Sequence, residues 1–185
     1  MAESLSDFQP GAAPAPGRSC GGCTLCCKIF EIPEIAKPRH VWCGHCDPGK
    51  GCKIHETRPA TCRDFFCGYL LMGTLPEHWK PSQARFVLTW ESDNNRMVVN
   101  VDPGRPDAWR KEPYYAQLKH WARVALRNKG QVLVWQGKDA VVVLPDRDVF
   151  LGPVRPGQAI VMRGRPGPDG GGIDVEVSDG SPAQR

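Results

Sequence analysis

From residue 85 onward the apolar positions keep two rhythms. Arg85–Trp90 (RFVLTW) and Met97–Val101 (MVVNV) are β-rich runs, and the Ser-Asp-Asn-Asn centre of the Glu91–Arg96 segment between them signals a hairpin. Over Glu112–Asn128 the period changes. Tyr115, Leu118, Ala122, Ala125 and Leu126 recur at helical spacing, and Lys129-Gly130 supplies a stop. Gln131–Trp135 and Ala140–Leu144 predict a second hairpin around Gln136-Gly137-Lys138-Asp139, and Val149–Leu151 and Ala159–Arg163 predict further short strands. The order ββαββ with later strands predicts an α+β fold, an antiparallel sheet packed on one main helix. The Trp and Phe residues of this half are expected in the core or on a sheet face.

Before residue 80 neither rhythm holds. Residues 1–18 are rich in Ala, Pro, Gly and Ser and predict a disordered lead-in. Residues 165–185 are similar and predict a flexible tail, in which the IDVEV stretch could add one edge strand. The expected organisation is therefore a lead-in over 1–18, an irregular cysteine-rich module over 19–80, an α+β region over 81–164 packed on it, and the tail. A chain of 185 residues can hold one domain with a real core, and its 20 glycines and 18 prolines imply many turns.

The formal charge of +4 is modest. No segment approaches the roughly 18 consecutive apolar residues of a spanning helix, and the first residues lack the basic start and apolar run of a signal peptide. The expected setting is the cytoplasm, where clustered cysteines serve as metal ligands or catalytic thiols more often than as disulfides.

All nine cysteines lie between Cys20 and Cys67. Their spacing is Cys20-x2-Cys23-x2-Cys26-Cys27, then Cys43-x2-Cys46-x5-Cys52, then Cys62-x4-Cys67. A C-x2-C turn points two sulfurs at one centre, and a structural zinc ion takes four such ligands. Buried cysteines can also fill core space, but that does not account for four thiols in the eight residues CGGCTLCC, flanked by Gly, Thr and Lys. Pro59 suits a helix start, which places Cys62 in the first turn of a short helix. Gly49-Lys50-Gly51 supplies a tight turn before Cys52.

The CxxCxxCC segment, followed by Gly51-Cys52-Lys53-Ile54-His55-Glu56-Thr57-Arg58-Pro59-Ala60-Thr61-Cys62-Arg63, resembles the YkgJ-type cysteine-cluster proteins, a family described as zinc- or iron-chelating. The resemblance covers residues 20–70. It implies Cys20, Cys23, Cys26, Cys27, Cys43, Cys52 and Cys62 as a shared ligand set, with Cys67 beside it. His55 stands where relatives commonly carry Tyr, and Cys46 where many carry an apolar residue.

Zinc and an iron–sulfur cluster both accept four thiolates, and C-x2-C-x2-C also matches the first three ligands of a [4Fe–4S] run. The usual fourth Cys-Pro is replaced by Cys27-Lys28. Adjacent side chains diverge, so Cys26 and Cys27 are expected to serve different centres or to bridge two. Lys28, Arg39, Lys53, Arg58 and Arg63 are expected to offset thiolate charge. His40, His45, His55 and His78 are candidate nitrogen ligands, His45 foremost within CGHC, although nine thiols make none of them necessary.

Three functions compete on these residues. The first is metal binding, structural or for storage and transfer, with the C-terminal half as a surface for a protein partner. The second is a redox or cluster-dependent enzyme using a low-pKa thiolate beside Arg58 or Arg63. The third, nucleic-acid binding, is disfavoured by the modest charge and by the absence of finger spacing. No P-loop, GxGxxG, GxSxG or HExxH motif supports a further enzyme class.

Overall fold

Closely spaced Gly, Pro and Cys leave no room for a long apolar stripe before residue 85, and single turns result. The computed structural model describes residues 13–166 and 171–180. Its N-terminal part consists of α1 (Cys26–Ile29), the two-residue strands β1 (Cys46–Asp47) and β2 (Gly51–Cys52), α2 (Ala60–Arg63), α3 (Gly68–Leu71) and α4 (Pro81–Ala84). Strands β1 and β2 pair antiparallel with Cys46 opposite Cys52. The turn between them is the expected glycine turn, with φ of +81° at Gly49 and +149° at Gly51, values that side chains rarely adopt. Pro59 stands immediately before α2, and Cys62 lies within that helix as expected.

The second half has the predicted α+β character. It contains β3 (Phe86–Glu91), β4 (Arg96–Val101), the main helix α5 (Tyr114–Arg127), β5 (Gln131–Gln136), β6 (Asp139–Val143), β7 (Asp148–Pro153), β8 (Gln158–Arg165) and β9 (Gly172–Asp179). The five-stranded sheet runs β3-β4-β5-β6-β7, and β8 and β9 form a separate hairpin. Three of the four sheet pairings are antiparallel. The fourth, β4 with β5, is parallel, with Arg96 opposite Gln131 and Asn100 opposite Trp135. The cause is α5, which returns the chain to the end of the sheet where β4 began, the crossover a parallel pair requires. Lys129, at φ +56°, and Gly130, whose N–H donates to the Ala125 carbonyl at 2.7 Å, end the helix at the expected stop.

Both faces of the sheet are covered. Met97, Val99, Val101, Val132, Val134, Val141 and Val143 share a cluster with Leu118, Trp121, Ala122 and Ala125 of α5. The alternate residues Val98, Leu133, Ala140, Val142 and Leu144 pack with Ile160, Met162, Ile173 and Val175 of the β8–β9 hairpin. This alternation is the period-two signature of a strand buried on two sides. Gly172–Asp179, expected within a flexible tail, is thus an eight-residue strand paired along β8. Its apolar positions cover sheet surface that would otherwise face water. Residues 167–170 and 181–185 of that tail lie outside the described residues.

The first cluster also takes in Leu25, Ile29, Cys67, Tyr69, Leu70, Met72, Leu75 and Trp79, so the cysteine-rich part and the sheet share one core. Trp79 joins them, its ring 5.7 Å from Phe86 and 5.0 Å from Trp121. Residues 13–18, expected in a disordered lead-in, are tied to the same region. The Ala15 N–H donates to the Leu70 carbonyl at 2.8 Å, and the Arg18 guanidinium lies 4.2 Å from the Tyr69 ring centre. Residues 1–12 lie outside the described residues. Of the aromatics expected in the core or on a sheet face, Phe86, Trp109 and Trp121 are buried, and Phe150 lies on strand β7, 66% exposed. Among the described residues no helix is long and apolar enough to cross a membrane.

Candidate metal centre

Backbone hydrogen bonds between short turns set the thiols in place. The Cys23 N–H donates to the Cys20 carbonyl at 2.9 Å, with Gly21 at φ +51°, closing the first C-x2-C turn. The Cys46 N–H donates to the Cys43 carbonyl at 3.0 Å in the second. The Cys43 N–H donates to the Cys27 carbonyl at 3.1 Å and joins the two. Leu25 and Ile29 anchor α1 in the core, an i, i+4 pair with the cysteine doublet between its members. The first turn is pressed against the β1–β2 turn. The Gly49 N–H donates to Thr24 Oγ1 at 3.0 Å, and a β-carbon on Gly22 would meet the Gly49 carbonyl oxygen at 2.4 Å. The Glu34 carboxylate accepts the Thr61 N–H at 3.0 Å and the Thr61 hydroxyl at 2.8 Å, fixing the turn before Cys62.

All nine cysteines line one cavity of about 610 Å³. Phe30, Phe65 and Phe66 are among its apolar walls, and Arg39, Arg58 and Lys80 among its cations. None of the nine is in a disulfide. Within the cavity the thiols fall into two neighbourhoods. Cys27, Cys43, Cys46 and Cys62 pack together with Ile32. Cys26 and Cys67 each lie within the electrostatic reach of both Cys20 and Cys23. Cys52 acts on Cys62 and stands beside the first neighbourhood. Of the doublet, Cys27 packs with Cys43 and Cys46 while still acting on Cys20, and its sulfur shares a hydrogen bond with that of Cys26.

In kind and number this donor set fits soft, four-coordinate metals. As placed, no group of three or more His, Cys, Asp or Glu among the described residues converges to hold an ion. Cys27 shares hydrogen bonds with Cys26 and with Cys46, and ligation requires those protons to leave.

The thiols differ sharply in acidity. The hydrogen bond from Cys26 is the main influence lowering Cys27 to about 6. Burial opposes it, and the Cys46 thiol and the Lys37 ammonium add to it. The same bond, with burial, holds Cys26 well above its ordinary range. Burial and the charge of Cys27 raise Cys46 to about 11, and burial raises Cys67 to about 11. Cys20 and Cys62 are also raised, first by burial. The acidic thiol is thus Cys27, and the groups that make it so are its thiol neighbours and Lys37. A thiolate beside Arg58 or Arg63 was the sequence expectation.

Of the five basic residues expected to offset thiolate charge, Arg39 and Arg58 line the cavity, and Lys53 and Arg63 do not. Lys28 is committed elsewhere, its ammonium 2.6 Å from Asp102 Oδ1. Lys80 lines the cavity, and Lys37 lies buried behind α1. Neither has a motif to announce it. Among the histidines, His45 and His55 line the cavity and His40 and His78 do not. His55 accepts from the Arg58 guanidinium through its carbonyl at 3.1 Å, and its Nε2 contacts the same group. His78 lies against Tyr114, with ring centres 5.6 Å apart.

Comparison with family models, with curated proteins and with solved structures finds no match, so the functional reading rests on the chain's own residues.

Proposed function

We propose that this protein binds zinc or iron through the thiolates of its clustered cysteines, the iron form being a [4Fe–4S] cluster. One observation carries the reading. Nine cysteines from three separate stretches of chain line a single cavity, and none is paired in a disulfide. The likeness of residues 20–70 to YkgJ-type proteins points the same way. Cys27, Cys43, Cys46 and Cys62 would form one ligand set, and Cys20, Cys23, Cys26 and Cys67 a second, with Cys52 in reserve. When bound, the metal would supply cross-links among the loops that carry the cysteines. A reducing compartment such as the cytoplasm suits unpaired thiols, and the exposed Phe150 edge of the sheet offers the C-terminal half a place for a protein partner.

A second reading, a thiol-dependent redox enzyme, has one observation in its favour, the acidity of Cys27. Metal analysis and visible absorption of anaerobically purified full-length protein decide between the two. We expect stoichiometric zinc in a colourless protein, or iron with a broad visible band. Cys23→Ser and Cys43→Ser should each lower metal content. Protein that carries neither metal and takes up neither on addition overturns metal binding and leaves the redox reading.

A further inference from the structure

Lys37 is 6% exposed, yet among the described residues the partners of its ammonium are two backbone carbonyls and no carboxylate. It donates to the Lys28 carbonyl at 3.0 Å and to the Phe30 carbonyl, at the end of the helix that carries Cys26 and Cys27. A tight loop holds it there. The backbones of Ile32 and Lys37 exchange two hydrogen bonds, 2.9 and 3.1 Å, with Ala36 at φ +50° between them. Ile32 is the residue around which Cys27, Cys43, Cys46 and Cys62 pack. The loop therefore fixes a buried cation against this thiol set. The cysteines acting on it are Cys27, Cys43 and Cys26, and Arg39 is the neighbouring cation.

A buried ammonium without a carboxylate is costly in a metal-free protein. Loading changes that balance. Four thiolates around a divalent zinc ion, or around a [4Fe–4S] core of the same charge, leave a net of two negative charges in a poorly solvated place. The geometry points to Lys37 as the built-in counter-ion of the Cys27, Cys43, Cys46 and Cys62 set, which makes this set the tighter of two unequal sites. The inference rests on the metal-binding reading and goes further, because it ranks the two ligand sets and assigns the ranking to one positioning residue. The other set, which includes the exposed Cys20, has Arg58 and Lys80 as its neighbouring cations, both half-buried and so better solvated than Lys37, and is the weaker, exchangeable one.

The test uses the full chain, reduced and freed of metal, titrated with zinc against a chromogenic chelator, with melting curves of metal-free and loaded protein. Lys37→Gln keeps an N–H donor and removes the charge, and Lys37→Arg keeps the charge. Lys37→Gln should weaken the tighter zinc equivalent by about 10-fold or more, and Lys37→Arg should stay within about threefold of the parent, since a unit charge near a buried dianion is worth at least that much. Metal-free Lys37→Gln protein should melt no lower than the parent, so the loss appears only on loading. The inference is overturned if Lys37→Gln binds zinc within about twofold of the parent. It is also overturned if both variants weaken binding equally, or if Lys37→Gln fails to fold or melts lower without metal. A parent protein that takes up neither zinc nor iron defeats the metal-binding reading itself, and this inference with it.

Discussion

Gly22 has a role that its neighbour Gly21 does not share. Gly21 is needed for its left-handed φ of +51°, but Gly22 has no such φ and is needed for its missing side chain. A β-carbon there would lie 2.4 Å from a backbone oxygen that cannot swing away. We expect Gly22→Ala to destabilise the protein by about 2 kcal/mol and to lower metal uptake, because the first thiol turn must lift off the β1–β2 turn. Gly44, where a β-carbon would meet nothing within 4 Å, is the control, and Gly44→Ala should stay within about 0.5 kcal/mol. Urea denaturation of the two variants is the measurement, and equal midpoints would show that the two turns are not pressed together. At this scale the sequence displays the ligands but hides their supports. The cysteines are visible by type and spacing. Gly22, Glu34 and Lys37 act through a backbone oxygen, a threonine and a loop that only the folded chain brings near.

Among the elements, α1 is too short to hold itself and is clasped from outside. Lys28, the residue after the doublet, reaches Asp102 just beyond β4 at 2.6 Å, and the Gly104 N–H donates to the same oxygen at 3.0 Å. Burial alone would raise the Asp102 carboxyl. The Lys28 ammonium, the Gly104 N–H and the charge of Arg85 outweigh it and hold the group below its ordinary value. Asp102→Ala should therefore cost about 2 kcal/mol, less than a fully buried pair because Lys28 is partly solvated. The double variant Lys28→Met/Asp102→Ala should cost less than the sum of the two single changes. Strict additivity in chemical denaturation would count against the clasp. Element types were legible wherever a period ran long enough, as in β3 to β7 and α5. The β9 strand was half hidden because its apolar alternation is short and sits between glycine-rich flanks. The parallel pairing of β4 and β5 was hidden for another reason, since periodicity gives faces and says nothing of strand direction.

The largest core cluster joins the cysteine-rich part to the sheet, so the acidity of the thiols bears on global stability. Cys27 titrates near 6 in the folded protein against an ordinary value of 9.0. Between those values the unfolded chain holds the extra proton, so stability should rise with pH across that window and be lost as pH falls through about 6. Cys46 and Cys67 titrate near 11, which reverses the sign, and stability should fall as pH rises from 9.0 toward about 11. Denaturation midpoints of reduced, metal-free protein measured over that span should therefore pass through a maximum near pH 9. The lower limb should flatten in Cys27→Ser, and a lower limb of unchanged slope in that variant would remove Cys27 as its cause.

The parallel β4–β5 pair also bears on how the chain reaches this core. Hairpins β3–β4 and β5–β6 join near neighbours in sequence, whereas the β4–β5 ladder closes a loop holding all of α5 and its flanking turns. Closing so long a loop costs chain entropy before any contact repays it. The residues that seat α1 and Trp79 share their cluster with Val99 and Val132, one from each of those two strands. The strands that share a cluster with α1 and Trp79 thus meet through the contact of highest order in the sheet, so seating the cysteine-rich part on them draws on the pairing that costs the most chain entropy to close.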